Sequence, residues 1–303
     1  MNIIFGPIPS RRFGMSLGID LSPTSKQCNF DCLYCELQYA KTVSKQTQII
    51  SVKDIMTQLK ERLKNHPNID VITFTANGEP SLYPHLEELI DEVNKITLDT
   101  DIKTLILSNG ANIYHNDIQK VLSKIDIVKL SLDCTSEKCF KKLDRVNSSV
   151  DCSKIVDGMV EFRALHKNQL IIEILFVKNL NDNDTEIKQL HDALQRVKPD
   201  RIDLGTIDRP SAYDVEAISY EKLLDIANLF SNLPVTITHK NKIVNKQTYT
   251  KDEILTLLAR RPLTKEDFEN IFDKSTILIL NKLIKSDKIT AINNNNVVFY
   301  KIL

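Results

Sequence analysis

Three cysteines stand in the run Cys28-Asn-Phe-Asp-Cys32-Leu-Tyr34-Cys35, spaced C-x3-C-x2-C. Thiolates at this spacing reach three corners of one small metal cluster and leave the fourth open. An iron–sulfur cube held by four cysteines is coordinatively finished and passes electrons. One held by three keeps an iron free to bind something else. Zinc fits less well, because a structural zinc site takes four ligands, commonly from C-x2-C pairs, and no second pair follows. A ferredoxin-type run reads C-x2-C-x2-C, which this does not. Cys134, Cys139 and Cys152 lie far off and are read as free packing thiols; a second cluster or a thiyl-radical relay is the alternative. Six cysteines in 303 residues are too sparse for a disulfide framework. The six histidines (66, 85, 115, 166, 191 and 239) form no metal-ligand spacing and are read as surface or packing residues.

Further polar groups close several apolar runs: Asn77-Gly78-Glu79-Pro80, Ser108-Asn109-Gly110, Lys129-Leu-Ser131-Leu-Asp133, and Gly205-Thr206-Ile-Asp208-Arg209. Each has a plain reading beside a chemical one. Asn-Gly is a strong turn dipeptide, Ser108 and Asn109 suit a strand–helix turn, and Ser131 and Asp133 suit a solvated edge. Alternation nevertheless puts Lys129, Ser131 and Asp133 on one strand face, and polar groups inside a barrel are costly unless paired. Arg209 is a candidate for a substrate anion. Arg11 and Arg12 suit bidentate phosphate or carboxylate binding, or equally an anchor to acidic residues of the fold.

The elements that position these residues alternate in type. Apolar, β-branched runs at 17–21, 71–75, 104–108, 125–132, 170–177, 201–206 and 235–239 read as strands. Between them, stretches such as 54–64, 86–96, 184–197 and 220–230 carry apolar residues near the 3.6-residue period of a helix. This alternation implies βα units and a parallel sheet, an incomplete barrel or open curved sheet rather than a closed eight-stranded barrel.

After residue 239 the composition shifts. Residues 240–250 read as a polar linker, and 251–303 as a small separate domain. A helix at 252–260, a second from the Thr264 cap to about 272, and a third capped by Ser275 and ending near 285 precede two apolar runs flanking Asn293–Asn296, a hairpin signal. Three helices followed by a hairpin outline a winged-helix domain, fit for nucleic-acid docking or for packing against a partner. Residues 246–303 carry ten Lys/Arg against seven Asp/Glu, but the third helix is mostly apolar, which favours packing.

Forty basic and forty acidic residues give a formal net charge of zero, which argues against a nonspecific nucleic-acid binder. The N-terminal residues lack a basic start and apolar core of the signal-peptide kind. No apolar stretch approaches the roughly 18 residues of a membrane helix. A cytoplasmic, non-membrane protein is expected, in a compartment that keeps thiols reduced.

The cysteine spacing, with the aromatic Tyr34 directly before the third cysteine, resembles the signature of the radical S-adenosyl-L-methionine (SAM) enzymes. The resemblance implies a partial (β/α)6 barrel with the cysteine loop after its first strand. It implies a [4Fe-4S] cluster on Cys28, Cys32 and Cys35, whose open iron chelates SAM, and reductive cleavage to a 5′-deoxyadenosyl radical. Asn77-Gly78-Glu79 looks like the family's Gly-Gly-Glu segment, which holds the SAM amino group, with Asn77 in place of the first glycine. Ser108 and Asn109 then face the SAM carboxylate or ribose, Ser131 and Asp133 the ribose, and Gly205 the adenine. An electron donor such as flavodoxin or ferredoxin is implied. Pro-Ser-Arg-Arg-Phe-Gly, Gly-Glu-Pro-Ser-Leu and Leu-Leu-Ala-Arg-Arg-Pro further resemble a branch of Fe–S oxidoreductases related to wybutosine (tRNA-guanosine) biosynthesis enzymes. Three functions remain open: RNA modification, radical chemistry on a peptide, protein or metabolite, and a noncatalytic Fe–S regulatory protein.

Overall fold

The computed structural model describes residues 3–10, 12–66, 68–237, 246–294 and 297–303. Arg11, His239, most of the expected linker and two residues of the expected hairpin turn lie outside them. Eight strands form one sheet in sequential order: β1 (Ile4–Ser10), β2 (Gly14–Asp20), β3 (Val71–Thr75), β4 (Lys103–Ser108), β5 (Ile127–Ser131), β6 (Gln169–Phe176), β7 (Arg201–Thr206) and β8 (Val235–Ile237). β1 pairs antiparallel with β2, and every pair from β2 to β8 is parallel. The crossovers carry α1 (Val52–Asn65), α2 (Leu86–Thr97), α3 (Asn116–Leu122), a short α4 (Glu137–Cys139) running into a π-turn over Phe140–Asp144, α5 (Ile155–Leu165), α6 (Asp184–Val197) and α7 (Tyr220–Leu229). The chain is thus an α/β fold on a largely parallel sheet.

Local sequence accounts for these elements. In α1, Ser51 Oγ accepts the Asp54 N–H at 3.1 Å, closing the first turn. Its Val52, Ile55, Met56 and Leu59 then recur on one buried face. Each such side chain removed from water contributes roughly 1.5–3 kcal/mol. In the strands, Ile72, Phe74, Ile106, Val128, Leu130, Ile172, Ile174, Ile202 and Leu204 all join the core beneath the helices. Alternation turns Thr73, Lys129, Ser131, Glu173, Asp203 and Gly205 to the opposite face.

The first strand departs from expectation. β1 was not anticipated, because Pro7 and Pro9 argue against a strand; an edge strand tolerates them, since its outward positions need no ladder donor. The run expected at 17–21 overlaps the second half of β2, which begins earlier, at Gly14, and ends at Asp20.

The C-terminal segment holds α8 (Lys251–Arg260), α9 (Lys265–Ile271) and α10 (Lys274–Lys285), with a small sheet of β9 (Leu263–Thr264), β10 (Ile289–Asn294) and β11 (Val297–Ile302). The sheet order is β10-β11-β9. The two-residue β9 is too short to leave a periodic signal. This segment has its own apolar cluster, built on Leu257, Phe268, Phe272, Leu280 and Leu283, and Ile8 of β1 joins it. Residues 246–250 were expected to be linker but are pinned. Tyr249 is 2% exposed, its N–H bonds Thr276 Oγ1 at 2.8 Å, and its hydroxyl donates to the Pro7 carbonyl at 2.5 Å.

Candidate cofactor site

The cysteine loop leaves the C-terminal end of β2, where Asp20, 1% exposed, receives the backbone N–H groups of Ser22 (2.9 Å) and Asn77 (2.8 Å) on Oδ1. The loop then runs beside the Asn77–Glu79 turn. Gln27 N–H donates to the Asn77 carbonyl, and Glu79 N–H to the Gln27 carbonyl, both at 3.0 Å. Gly78 sits between them at φ +135°, and a Cβ there would lie 2.0 Å from the Gln27 carbonyl oxygen. Only glycine fits so close an approach. The Gln27 side chain bonds Ser22 Oγ at 2.8 Å and Thr47 N–H at 2.7 Å, gathering both ends of the loop.

Glu79 is fully buried and its carboxylate is committed. Oε1 accepts from Ser81 N–H (2.9 Å) and Ser108 Oγ (2.7 Å), and Oε2 from Asn109 N–H (2.8 Å). Burial raises its pKa, while these bonds oppose the shift. Glu79 therefore ties the β3 and β4 loops together. Asn109 reaches on: its Nδ2 donates to Asn29 Oδ1 at 2.8 Å and approaches Cys28 Sγ at 3.6 Å.

Cys28, Cys32 and Cys35 are free and half-buried. Cys28 Sγ also accepts Phe30 N–H at 3.4 Å, and Lys26 Nζ approaches Cys35 Sγ at 3.5 Å. Burial first, then the charge of Glu79, pushes the Cys28 thiol up to about 12. Burial and then Asp144 push Cys32 well above the ordinary thiol range. Asp144 itself is buried, with Oδ1 lacking a hydrogen-bond partner among the described residues. Among those residues, no three His, Cys, Asp or Glu side chains are gathered tightly enough for one metal ion. Tyr34 donates its hydroxyl to Asp133 Oδ2, and Asp133 Oδ1 accepts Leu175 N–H at 2.6 Å. Asp133 is buried, and burial raises its pKa against these two bonds.

The structure thus joins Cys28, Asn77, Gly78, Glu79, Ser108 and Asn109 in one network, and Tyr34 with Asp133 in another. Ser131 and Gly205 lie apart from both on that same face of the sheet; a Cβ on Gly205 would meet nothing within 4 Å. Below them Asp203, wholly buried, is surrounded by Arg12, Lys129 (3.3 Å) and Arg201 (2.9 Å), and Lys129 also reaches Glu173 at 2.5 Å. Arg12 is therefore an anchor to the fold. Arg209, expected to take an anion, pairs with Glu36 of the cysteine loop at 2.9 Å. Two of the remaining cysteines are not free thiols, since Cys134 and Cys139 form a disulfide; Cys152 is free. Sequence reasoning missed Asp20, Lys26, Gln27 and Asp144. Lys26-Gln27 directly precede the first cysteine, and Asp20 is a charge at the end of an apolar run; both were legible signals.

Residues 22–190 match the family profile described as Radical SAM superfamily. Over 301 residues the chain is 40% identical to a UPF0026 protein of Helicobacter pylori (strain J99), covering 98% of this chain and 97% of that protein. It is 30% identical to a UPF0026 protein of Methanocaldococcus jannaschii, covering 99% and 96% respectively. The solved structure of TYW1 with a lysine-pyruvate adduct shares the fold at a TM-score of 0.52 and 16% identity, over 72% of this chain and 73% of that one. The chain belongs to the radical SAM superfamily and, within it, to the UPF0026 proteins. It is a radical SAM enzyme, and its cofactors are a [4Fe-4S] cluster and SAM. The noncatalytic reading falls with that membership.

The residues present fit these cofactors. The donor set is three free thiols of a kind soft iron–sulfur centres take, with N–H groups of Asn109 and Lys26 on two of the sulfurs. Such contacts tune a cluster. A Cβ at Gly205 would meet nothing within 4 Å, which leaves room on that face of the sheet.

Proposed function

We propose that Cys28, Cys32 and Cys35 hold the cluster and that SAM lies on the same face of the sheet, between the Asn77–Glu79 turn, Ser108–Asn109, Ser131 and Gly205. The observation that carries this reading is the Asn109 side chain. It bonds Cys28 while its backbone is held by Glu79, so one residue links the thiol loop to the glycine–glutamate turn. When bound, the cluster and SAM supply reductive carbon–sulfur cleavage and a radical that abstracts hydrogen. The protein's part is positional. Glu79 locks two loops, Tyr34 and Asp133 brace the cysteine loop against β5, and Lys26 and Asn109 place positive dipoles at the sulfurs. The sequentially ordered, open sheet reads as a partial barrel.

Residues 1–239 are the radical SAM core, 240–250 a connection and 251–303 a winged-helix-like domain. The electron donor is a flavodoxin or ferredoxin, in the cytoplasm. The substrate is an RNA: the quoted motifs resemble the wybutosine branch, and the fold is shared with TYW1. A second reading, a protein or peptide substrate, has one observation in its favour, the 65% exposure of Leu278 on α10. The test is 5′-deoxyadenosine formation by the anaerobically reconstituted, reduced enzyme with SAM and small-molecule-depleted cell extract. Stimulation by the extract that disappears after ribonuclease supports RNA. Stimulation that survives ribonuclease moves the substrate to the protein fraction.

A further inference from the structure

The C-terminal segment touches the catalytic core where the cofactor loops begin. Arg260, the last residue of α8, brings Nε within 2.5 Å of Asp20 Oδ2. The two groups form an ion pair in which Arg260 opposes the upward push of burial on the Asp20 carboxyl. The Arg260 side chain is 19% exposed and Asp20 1%. Asp20 spends its other oxygen on Ser22 and Asn77, the second residues of the two loops described above.

Two further contacts tie the same segment down, and one cap within it fixes a partner of the second. Tyr249 bonds Pro7, Arg62 of α1 forms an ion pair with Glu253, and Thr250 caps α8 through that same Glu253. On the far side, burial opposes the charge of Arg209, but Glu36 and Asp208, and more weakly Asp267 of α9, outweigh it. The segment therefore packs against the core along β1, α1 and the end of β2.

We propose that the C-terminal segment completes the cofactor site, with Arg260 as a positioning residue that holds the Ser22 and Asn77 loops in register through Asp20. This rests on the reading of the Asn77–Glu79 turn as part of the SAM cradle. A buried carboxylate stays ionised only with a compensating charge. Ionised, it is a stronger acceptor for two backbone N–H groups than its protonated form. Removing Arg260 leaves Asp20 to lose its charge or draw in water, and either change slackens both loops at once. Whatever the C-terminal segment binds is thereby coupled to the cofactor loops.

The experiment compares Arg260→Ala, Arg260→Lys and the double variant Arg260→Ala/Asp20→Asn in the full chain. Hydrogen exchange of residues 20–28 and 75–80 is measured without cofactors, and SAM affinity after reconstitution. Arg260→Ala is expected to speed exchange in both loops together and to weaken SAM binding about tenfold, equivalent to about 1.4 kcal/mol. Arg260→Lys should restore most of both, because an ammonium still supplies the charge. The double variant should recover slow exchange, because asparagine keeps the Oδ1 acceptor and needs no counter-charge. Unchanged exchange and affinity in Arg260→Ala overturn the proposal. So does uniform loss of structure that the double variant fails to rescue. Loop exchange that responds as expected while the wild-type protein binds no SAM would instead sink the cradle reading and leave the Arg260–Asp20 coupling standing.

Discussion

Gly78 and Gln27 form an isolated parallel bridge that joins two loops with no other strand pairing between them. The carbonyl of Gln27 occupies the space in which any side chain at 78 would begin, so the position is fixed by sterics before any ligand is considered. Gly78→Ala is expected to push the Asn77–Glu79 turn away from Cys28, at a cost of about 1–3 kcal/mol in backbone strain alone. Iron and sulfide bound per chain after reconstitution should fall in proportion. Wild-type cluster content in this variant would show that the bridge does not shape the thiol loop.

Glu79→Gln tests the carboxylate that the bridge delivers. Its two oxygens face three donors, and an amide must turn an NH2 toward at least one of them. A loss of about 1–3 kcal/mol follows from leaving a buried donor unmatched. Chemical denaturation of the cofactor-free protein reads it directly, and a loss under 0.5 kcal/mol (on the order of an ordinary surface change) would mean that water replaces the lost acceptor.

How much of this was legible beforehand follows from what each residue depends on. The parallel strands and the amphipathic helices were readable because burial imposes periods of 2 and 3.6 on the chain. The thiol triplet was readable because its spacing is local. Asp20 and Arg260 lie 240 positions apart in chain numbering, and no local rule brings a strand-end carboxylate to a helix-end guanidinium. That Glu79 also joins two loops was not readable, since its partners Ser108 and Asn109 come from the end of the next strand. The Cys134–Cys139 disulfide was missed because composition speaks against a framework of bridges and says nothing about a single one. β1 was hidden by its prolines.

The Asp203 constellation predicts a stability effect separate from cofactor binding. Asp203→Asn leaves Arg12, Lys129 and Arg201 converging on a neutral amide inside the fold. Breaking one side of a buried charge cluster costs about 3–5 kcal/mol, so the denaturation midpoint should shift strongly. Lys129→Met should cost less, because Asp203 keeps two arginines. The order of the two effects is what the titration curves must reproduce.

Asp273 gives a pH dependence of known sign. It caps α10 by accepting Thr276 N–H at 2.8 Å and takes a hydrogen bond from Thr248 Oγ1 at 2.6 Å. These bonds, that from Thr248 foremost, hold its carboxyl well below the usual range. A carboxylate lowered on folding contributes stability above its unfolded pKa of 3.8 and loses it as pH falls toward the folded value. Thermal midpoints of the wild type should therefore decline more steeply below pH 4 (roughly the free carboxyl range) than those of Asp273→Asn. Parallel curves would assign the acid sensitivity to other groups.

The most direct test of the thiol triplet is SAM cleavage by the reconstituted, reduced enzyme beside Cys28→Ala, Cys32→Ala and Cys35→Ala, with Cys152→Ala as control. The expected result is 5′-deoxyadenosine from the wild type and the control, and none from any of the three. Cleavage retained by a variant of Cys28, Cys32 or Cys35, or lost with Cys152, would contradict the assignment.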